Sequence, residues 1–407
     1  MNINARRYYA YMPILALLLF TSLEANSTPQ FTLRLLSDLT RPTMPTGIND
    51  FGDISGYESV PGGFQSVKIS SNGLITRFGE VDSTFASGAF AINNSFDAVG
   101  TIYAGSPSPT GFFSRQAVVF NAAGQTLRLA GLGGSNTVAL GINTQGDIVG
   151  HASTPNDTNY HATLFSFGLT SLDLGGLGGK NSQANAVSDR REIVGAAEMA
   201  DGSVHATLFT EVGANIDLGI LAGGTYSTAL AVNDIGQAVG QSTSATSRWA
   251  RATIFSLAGH TPVDLGAPEG YGSRATGINN LGQVVGDYST YTTEHYAFLW
   301  EGGQMFRLDD LLSTTDGYSD VHLVLAAGIN ELGQIAAYGT VGGFYASFLL
   351  SPVPELSSAT LMSFGLIFVA LWIIPLVRIR KRVQDQVCSP AARDAGEFHA
   401  LSASGGR

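Results

Sequence analysis

The sequence predicts an all-β protein, a β-propeller of seven four-stranded blades closed by pairing its N- and C-terminal strands, followed by one transmembrane helix. Three observations predict it. A short Asn- and Gly-bearing motif recurs seven times, two further strand-like runs keep step with it, and the repeat begins and ends out of phase.

The motif reads GINDFGDISGY (47–57), AINNSFDAVGT (91–101), GINTQGDIVGH (141–151), AVSDRREIVGA (186–196), AVNDIGQAVGQ (231–241), GINNLGQVVGD (277–287) and GINELGQIAAY (328–338). The copies are spaced 44 to 51 residues apart, a period that signals a propeller or a solenoid array. In each copy an Ile/Val-Asn strand end leads through a short turn into a second strand. Asn favours the turn start and Gly tolerates positive φ, roles filled by Asn279 and Gly282 in the sixth copy. In the fourth copy Arg190-Arg191 replaces the usual pair, so that turn is expected to be built differently.

The second run is RQAVVF (115–120), YHATLF (160–165), VHATLF (204–209), ARATIF (250–255), YAFLW (296–300) and FYASFL (344–349). The third is LDLGGLGG (172–179), IDLGILAGG (216–224), VDLGAPEG (263–270) and, more loosely, FRLDDLL (306–312). Runs of four to seven β-branched, aromatic and Ala residues between Gly-rich breaks are strands. No long helical period interrupts residues 28 to 352, which excludes βαβ units and leucine-rich solenoids. The mature chain opens on FTLRLLSDLT (31–40), a lone fourth strand, and closes on FYASFLLSP (344–352), a third strand lacking its fourth. One completes the other, and closure removes free sheet edges.

Composition excludes several classes of function. Only 13% of the 407 residues are charged and the formal charge is −11. Residues 28–352 carry 13 Lys/Arg against 27 Asp/Glu, so nucleic acid, which needs a basic surface, is not a partner. The single cysteine, Cys388, permits neither an internal disulfide nor a Cys-based zinc site.

The two ends carry an address. Residues 1–27 read as a secretory signal peptide, with Arg6 and Arg7, an apolar Met12–Leu23, and a small-x-small cleavage region at Ala25 and Ser27; an uncleaved anchor is the alternative. Residues 359–377 are 19 uncharged residues, long enough to cross the roughly 30 Å hydrocarbon core. Arg378, Arg380, Lys381 and Arg382 follow, a basic stop that stays on the cytoplasmic side. The expected organisation is a signal peptide (1–27), a propeller (28–352), a motif, span and basic stop (353–382), and a short cytoplasmic or disordered tail (383–407).

Val353-Pro354-Glu355, followed by the apolar span and the Arg-rich cluster, resembles the PEP-CTERM sorting signal of Gram-negative bacteria, although Leu356 stands where a second proline is usual. The resemblance implies recognition and cleavage there by an exosortase-type membrane transpeptidase, and an association with extracellular polysaccharide. The blades resemble the HAF-repeat family of bacterial extracellular proteins, through His161-Ala162-Thr163, His205-Ala206-Thr207 and Tyr296-Ala297-Phe298, with Arg251 or Gln116 in place of His elsewhere. That likeness covers nearly all of 47–350 and implies location and architecture rather than a reaction.

Candidate chemistry is sparse. His161 and His205 occupy one repeat position where Gln116, Arg251 and Tyr296 offer no shared metal donor set, so they read as structural. The runs Gly131–Gly134 and Gly176–Gly179 lack the Lys-Ser/Thr of a phosphate loop and read as blade-to-blade turns. Asp50 with Asp53, and Asn143 with Asp147, fall short of the ligand count of an EF-type calcium loop. There is no G-x-S-x-G, no H-E-x-x-H and no Cys nucleophile. No catalytic residue, metal site or cofactor is assigned. The expectation is an exported, membrane-anchored or sorted binding or structural module, with polysaccharide as partner through one ring face and Trp249, Tyr271 and Tyr291 as contributors. The alternatives are a glycan hydrolase or lyase with acidic residues at the central channel, and a single-span surface protein without processing.

Overall fold

The computed structural model describes residues 28–354, apart from 38, 62, 79–85, 105–113, 168–170, 260, 291–293, 315 and 316. The signal segment, Glu355, the apolar stretch 359–377, the basic stop and the tail lie outside the described residues. Among the described residues no helix is long and apolar enough to cross a membrane.

Seven sheets form; in blades 1 to 6 the strands are antiparallel and follow chain order from the innermost outward. Blades 1 to 6 span 43–77, 87–128, 137–175, 178–219, 227–264 and 272–307. The innermost strands neighbour one another in cyclic order, the first returning to the last, so the ring is closed. Blade 7 confirms the expected phase: Phe31–Leu35 pairs antiparallel with Phe344–Pro352, adding one N-terminal strand to three C-terminal ones. The expectation of four strands per blade is corrected there. Leu312–Thr314 adds a fifth strand, parallel to Phe31–Leu35 and outside it. The loosely matching 306–312 also resolves differently, into the end of a strand at Arg307 and a 3₁₀ turn over Leu308–Leu311.

The core lies between blades rather than within one. Val149, Ala162, Leu164 and Leu174 of blade 3 pack on Ala184, Val187, Ile193, Ala197 and Phe209 of blade 4. Between Ala275 and Gly277 the innermost strand of blade 6 carries a β-bulge, and the same register shift recurs in the other six innermost strands. The bulge explains the glycine that ends "VVG". A Cβ on Gly286 would stand 2.0 Å from the Arg274 carbonyl oxygen, so no side chain fits there in blade 6; blade 7, which has a second register shift between Leu323 and Leu325, holds Ala337 at that place.

The expectation for the fourth turn is overturned. Ser188 N–H donates to Glu192 O at 3.0 Å and Arg191 N–H to Ser188 O at 2.9 Å, the pattern that Asn49 to Asp53 also makes. Arg191 takes the glycine position at φ 67°, as Phe96 does in blade 2 at φ 65°. The repeated geometry therefore overrides the side chain's own preference, at a local cost on the order of 1 kcal/mol.

Candidate functional site

The closed ring has two unlike faces. On one, called here the turn face, the innermost strands end in seven turns of equal length. On the other, the loop face, the connections between second and third strands vary from the tight Val60–Gly63 to the longer Ser153–Tyr160.

The repeated Asn builds the turn face. Asn279 is fully buried; its Oδ1 accepts from the backbone N–H groups of Leu281 and Gln283, and its Nδ2 donates to Asn330 O in the next blade at 3.1 Å. The same inter-blade bond runs from Asn49 to Asn93, Asn93 to Asn143, Asn143 to Ser188, Asn233 to Asn279, and Asn330 back to Asn49. Ser188 has no amide to continue the series, and Asn185 bridges that seam instead by donating to Ala229 O at 2.7 Å. Each Asn thus satisfies turn groups that would otherwise be buried without partners, and ties two blades together.

The residue after each Asn, and after Ser188 in blade 4, rims the channel mouth, a cavity of about 210 Å³. Asp50, Asn94, Thr144, Asp189, Asp234, Asn280 and Glu331 stand there, and most accept a backbone N–H from the neighbouring turn, as Asp234 does from Asp189 at 2.8 Å. Burial pushes the Glu331 carboxyl above the usual range, the Asn280 N–H bond opposes this, and the Asp50, Asp234 and Asp189 carboxylates add to it. These acidic groups are repeat equivalents holding neighbouring turns. The paired positions weighed for calcium are likewise engaged: Asp53 Oδ1 accepts from Ser71 N–H, and Asn143 bonds Asp147.

The His positions are struts. His161 Nδ1 lies 2.8 Å from Asp173 Oδ2 and His205 Nδ1 2.8 Å from Asp217 Oδ2, while Arg251 makes the same link to Asp264 at 3.1 Å. Each Asp also accepts the N–H of the following DLG glycine, Gly175, Gly219 or Gly266. The strut joins the third strand to the fourth and caps the turn that leaves the blade. Sequence reasoning placed these residues as structural but missed the Asp partners, whose constant spacing of 12 or 13 residues was the available signal.

The loop face is individual. At the second-strand position paired with the channel side of the innermost strand stand Tyr57, Thr101, His151, Ala196, Gln241, Asp287 and Tyr338, one per blade. Aromatic rings gather around them: Tyr57 lies edge-on to Phe64 at 5.1 Å, Tyr338 stacks on Tyr345 at 5.4 Å, and His151 leans on Tyr160 at 5.3 Å. His151 Nδ1 is buried and has no hydrogen-bond partner among the described residues. Burial first, and then the Arg115 charge, push that imidazole down to about 4, so it is neutral at pH 7.

Between blades 5 and 6 this face opens into a groove of about 420 Å³, lined by Gln241, Trp249, Gly272, Arg274, Asp287 and Thr290 among others. Arg274 and Asp287, register partners on the blade 6 side, are paired at 2.9 Å. Trp249, expected as a ligand contact, lines this groove. Tyr271 does not: it packs against Tyr288 and donates to Glu294 at 2.6 Å, a bond that pushes its hydroxyl up to about 12. Tyr291 lies outside the described residues.

Of the expected sorting residues, Val353 donates its N–H to Gln30 O at 2.8 Å, and Pro354 is exposed beside it. Glu355, Arg378, Arg380, Lys381, Arg382, Ala25 and Ser27 lie outside the described residues.

A family profile described as a protein of unknown function, DUF3466, matches residues 222–344. No curated protein matches the sequence. Among solved structures, the chain is similar to a catalytically inactive virginiamycin B lyase from Staphylococcus aureus with quinupristin, at 10% identity and TM-score 0.49, over 80% of this chain and 100% of that one. It is also similar to the β-propeller domain of the trilobed protease from Pyrococcus furiosus, at 7% identity and TM-score 0.48, over 78% and 99%.

Proposed function

We propose that this chain is an exported, non-catalytic β-propeller that binds neutral polysaccharide on its loop face, and that its C-terminal segment anchors or sorts it at the cell surface. The observation that carries the reading is the division of the ring. Repetition is spent on the turn face and individuality on the loop face, where a groove combines an indole with an amide and an Arg–Asp pair. Sugars present apolar C–H faces and rims of hydroxyls, and such a mixed lining suits them. The acidic balance of the chain disfavours a polyanion. Residues 1–27, Val353-Pro354-Glu355 and the basic stop support the location, and a cut after Pro354 would leave the closing strand, which ends at Pro352, in place.

Substitution Trp249→Ala is expected to weaken binding of neutral exopolysaccharide from the native host by about tenfold, the loss of one aromatic anchor. Isothermal titration with the wild-type and substituted proteins reads it, with an unchanged melting temperature as the folding control. Equal affinity in the two proteins removes the groove from the reading.

The second reading, a glycan-cleaving propeller, draws on His151, whose neutral ring keeps a buried nitrogen without a partner among the described residues. New reducing ends appearing in the titration mixture would favour it.

A further inference from the structure

We infer that the turn face is a membrane-contacting face: the apolar tips of four consecutive turns rest in the headgroup region of a bilayer of neutral lipid. This rests on the proposed anchoring by 359–377. The tip residue, second after the clasping Asn, is Ile235 in blade 5, Leu281 in blade 6, Leu332 in blade 7 and Phe51 in blade 1. All four project from the body, with exposures of 57%, 73%, 63% and 58%. In blades 2 to 4 the same position holds Ser95, Gln145 and Arg190, so the apolar tips form a crescent on one side of the ring.

The turn itself does not require these side chains. The turn is closed by its backbone and by Asn, and Ser, Gln or Arg serves equally well at the tip. Ile235, Leu281 and Leu332 are therefore surplus to the scaffold, the Phe51 ring beside them stacks on Phe96 at 5.2 Å while staying 58% exposed, and large exposed apolar side chains gathered on one face mark an interaction surface. The exit of the chain names the occupant. The closing strand runs toward this face, and its last residue, Pro352, lies beside the blade 7 turn, where a Cβ on Gly333 would stand 3.6 Å from the Pro352 ring. The chain therefore leaves the propeller within the crescent. Only residues 355–358 separate Pro354 from the first residue of the apolar stretch, a reach of no more than roughly 18 Å. A tether that short, leaving between Leu281 and Phe51, brings the tips to the surface that the stretch enters. The rim of carboxylates at the channel mouth selects against anionic headgroups, so contact comes from shallow burial of Leu, Ile and Phe. The loop face then points away from the membrane, toward ligand.

The test uses the full chain carrying Cys388→Ser, reconstituted in phosphatidylcholine vesicles. An environment-sensitive NBD label is placed through Leu281→Cys, through Leu332→Cys, or through Tyr345→Cys on the loop face, each at an exposed position. Nitroxide lipids bearing the spin label near the headgroup are expected to quench the 281 and 332 labels roughly threefold more than the 345 label, independently of salt. Protein that fails to float with the vesicles overturns the anchoring reading and this inference with it. Protein that floats, with all three labels equally quenched or unquenched, overturns the inference alone. A blue shift at 281 that scales with protein-to-lipid ratio and is insensitive to nitroxide assigns the crescent to a second copy of the chain, and also overturns it.

Discussion

Replacing Asn279 by alanine is expected to destabilise the propeller by about 3 kcal/mol, while Asn279→Ser costs roughly half as much. Asn279 is fully buried, accepts two turn N–H groups, donates to Asn330 O in the next blade, and bonds Gln283 Oε1 at 2.8 Å. Alanine removes both roles: the Leu281 and Gln283 N–H groups lose their side-chain acceptor, at about 1 to 3 kcal/mol for each unsatisfied group, and Asn330 O keeps only the Gly333 N–H. Serine repeats what Ser188 already does: its hydroxyl accepts from the N–H groups of Arg190 and Glu192, both at 3.2 Å, but makes no link to the following blade. The difference between wild type and Ser therefore isolates the bonds of the amide nitrogen, chiefly the inter-blade one, and the difference between Ser and Ala isolates the turn bonds. Thermal melts should place Ala about 5 to 10 °C below wild type and Ser between them. A Ser variant as stable as wild type would mean that the link between blades carries no stability.

Removing residues 28–37 is expected to prevent folding to a soluble monomer. The segment supplies Phe31, Leu33 and Leu36, all at least 96% buried, and the antiparallel ladder from Phe31↔Pro352 to Leu35↔Phe348. Ser37 Oγ also accepts the Ser347 N–H at 3.0 Å. At about 1.5 to 3 kcal/mol for each buried side chain, the loss approaches the whole net stability of an ordinary domain, about 5 to 15 kcal/mol. It also bares the edge of strand 344–352, a template for aggregation. Size-exclusion chromatography should find the truncated chain in aggregates, and a synthetic peptide of residues 28–40 supplied during refolding should restore the monomer. A folded monomer without the peptide would show that the ring does not depend on this closure.

Much of the scaffold was legible because it is local and copied. The strand grammar, the seven-fold count and the complementary orphan strands at 31–40 and 344–352 can all be read along the chain. The clasps were not, since Asn49 reaches Asn93 and Asn330 reaches Asn49 only once the ring has closed. The fourth turn was misread for a related reason: Arg191 is a poor choice for positive φ in isolation, but Ser188 and the turn geometry shared with the other six blades hold it there. The parallel strand Leu312–Thr314 left no signal, being three residues long beside a 3₁₀ turn.

The functional face was harder to read because it is defined by difference. Tyr57, His151, Gln241 and Asp287 share a register position but no residue type, so self-alignment passes over them. The apolar tips Phe51, Ile235, Leu281 and Leu332 were visible in the repeat, one place after the position that rims the channel. Their meaning depends on exposure and on which face the chain leaves by, and neither follows from sequence spacing.

The central claim is that ligand is bound on the individual face of a ring whose other face is scaffold and contact surface. Amide hydrogen exchange of the full chain, with and without the host's neutral exopolysaccharide, tests it most directly. Protection is expected at residues 244–250, 286–290 and 341–346 on the loop face, with the clasped turns 49–53 and 279–283 unchanged. Protection confined to those turns, or none anywhere at saturating polysaccharide, would contradict it.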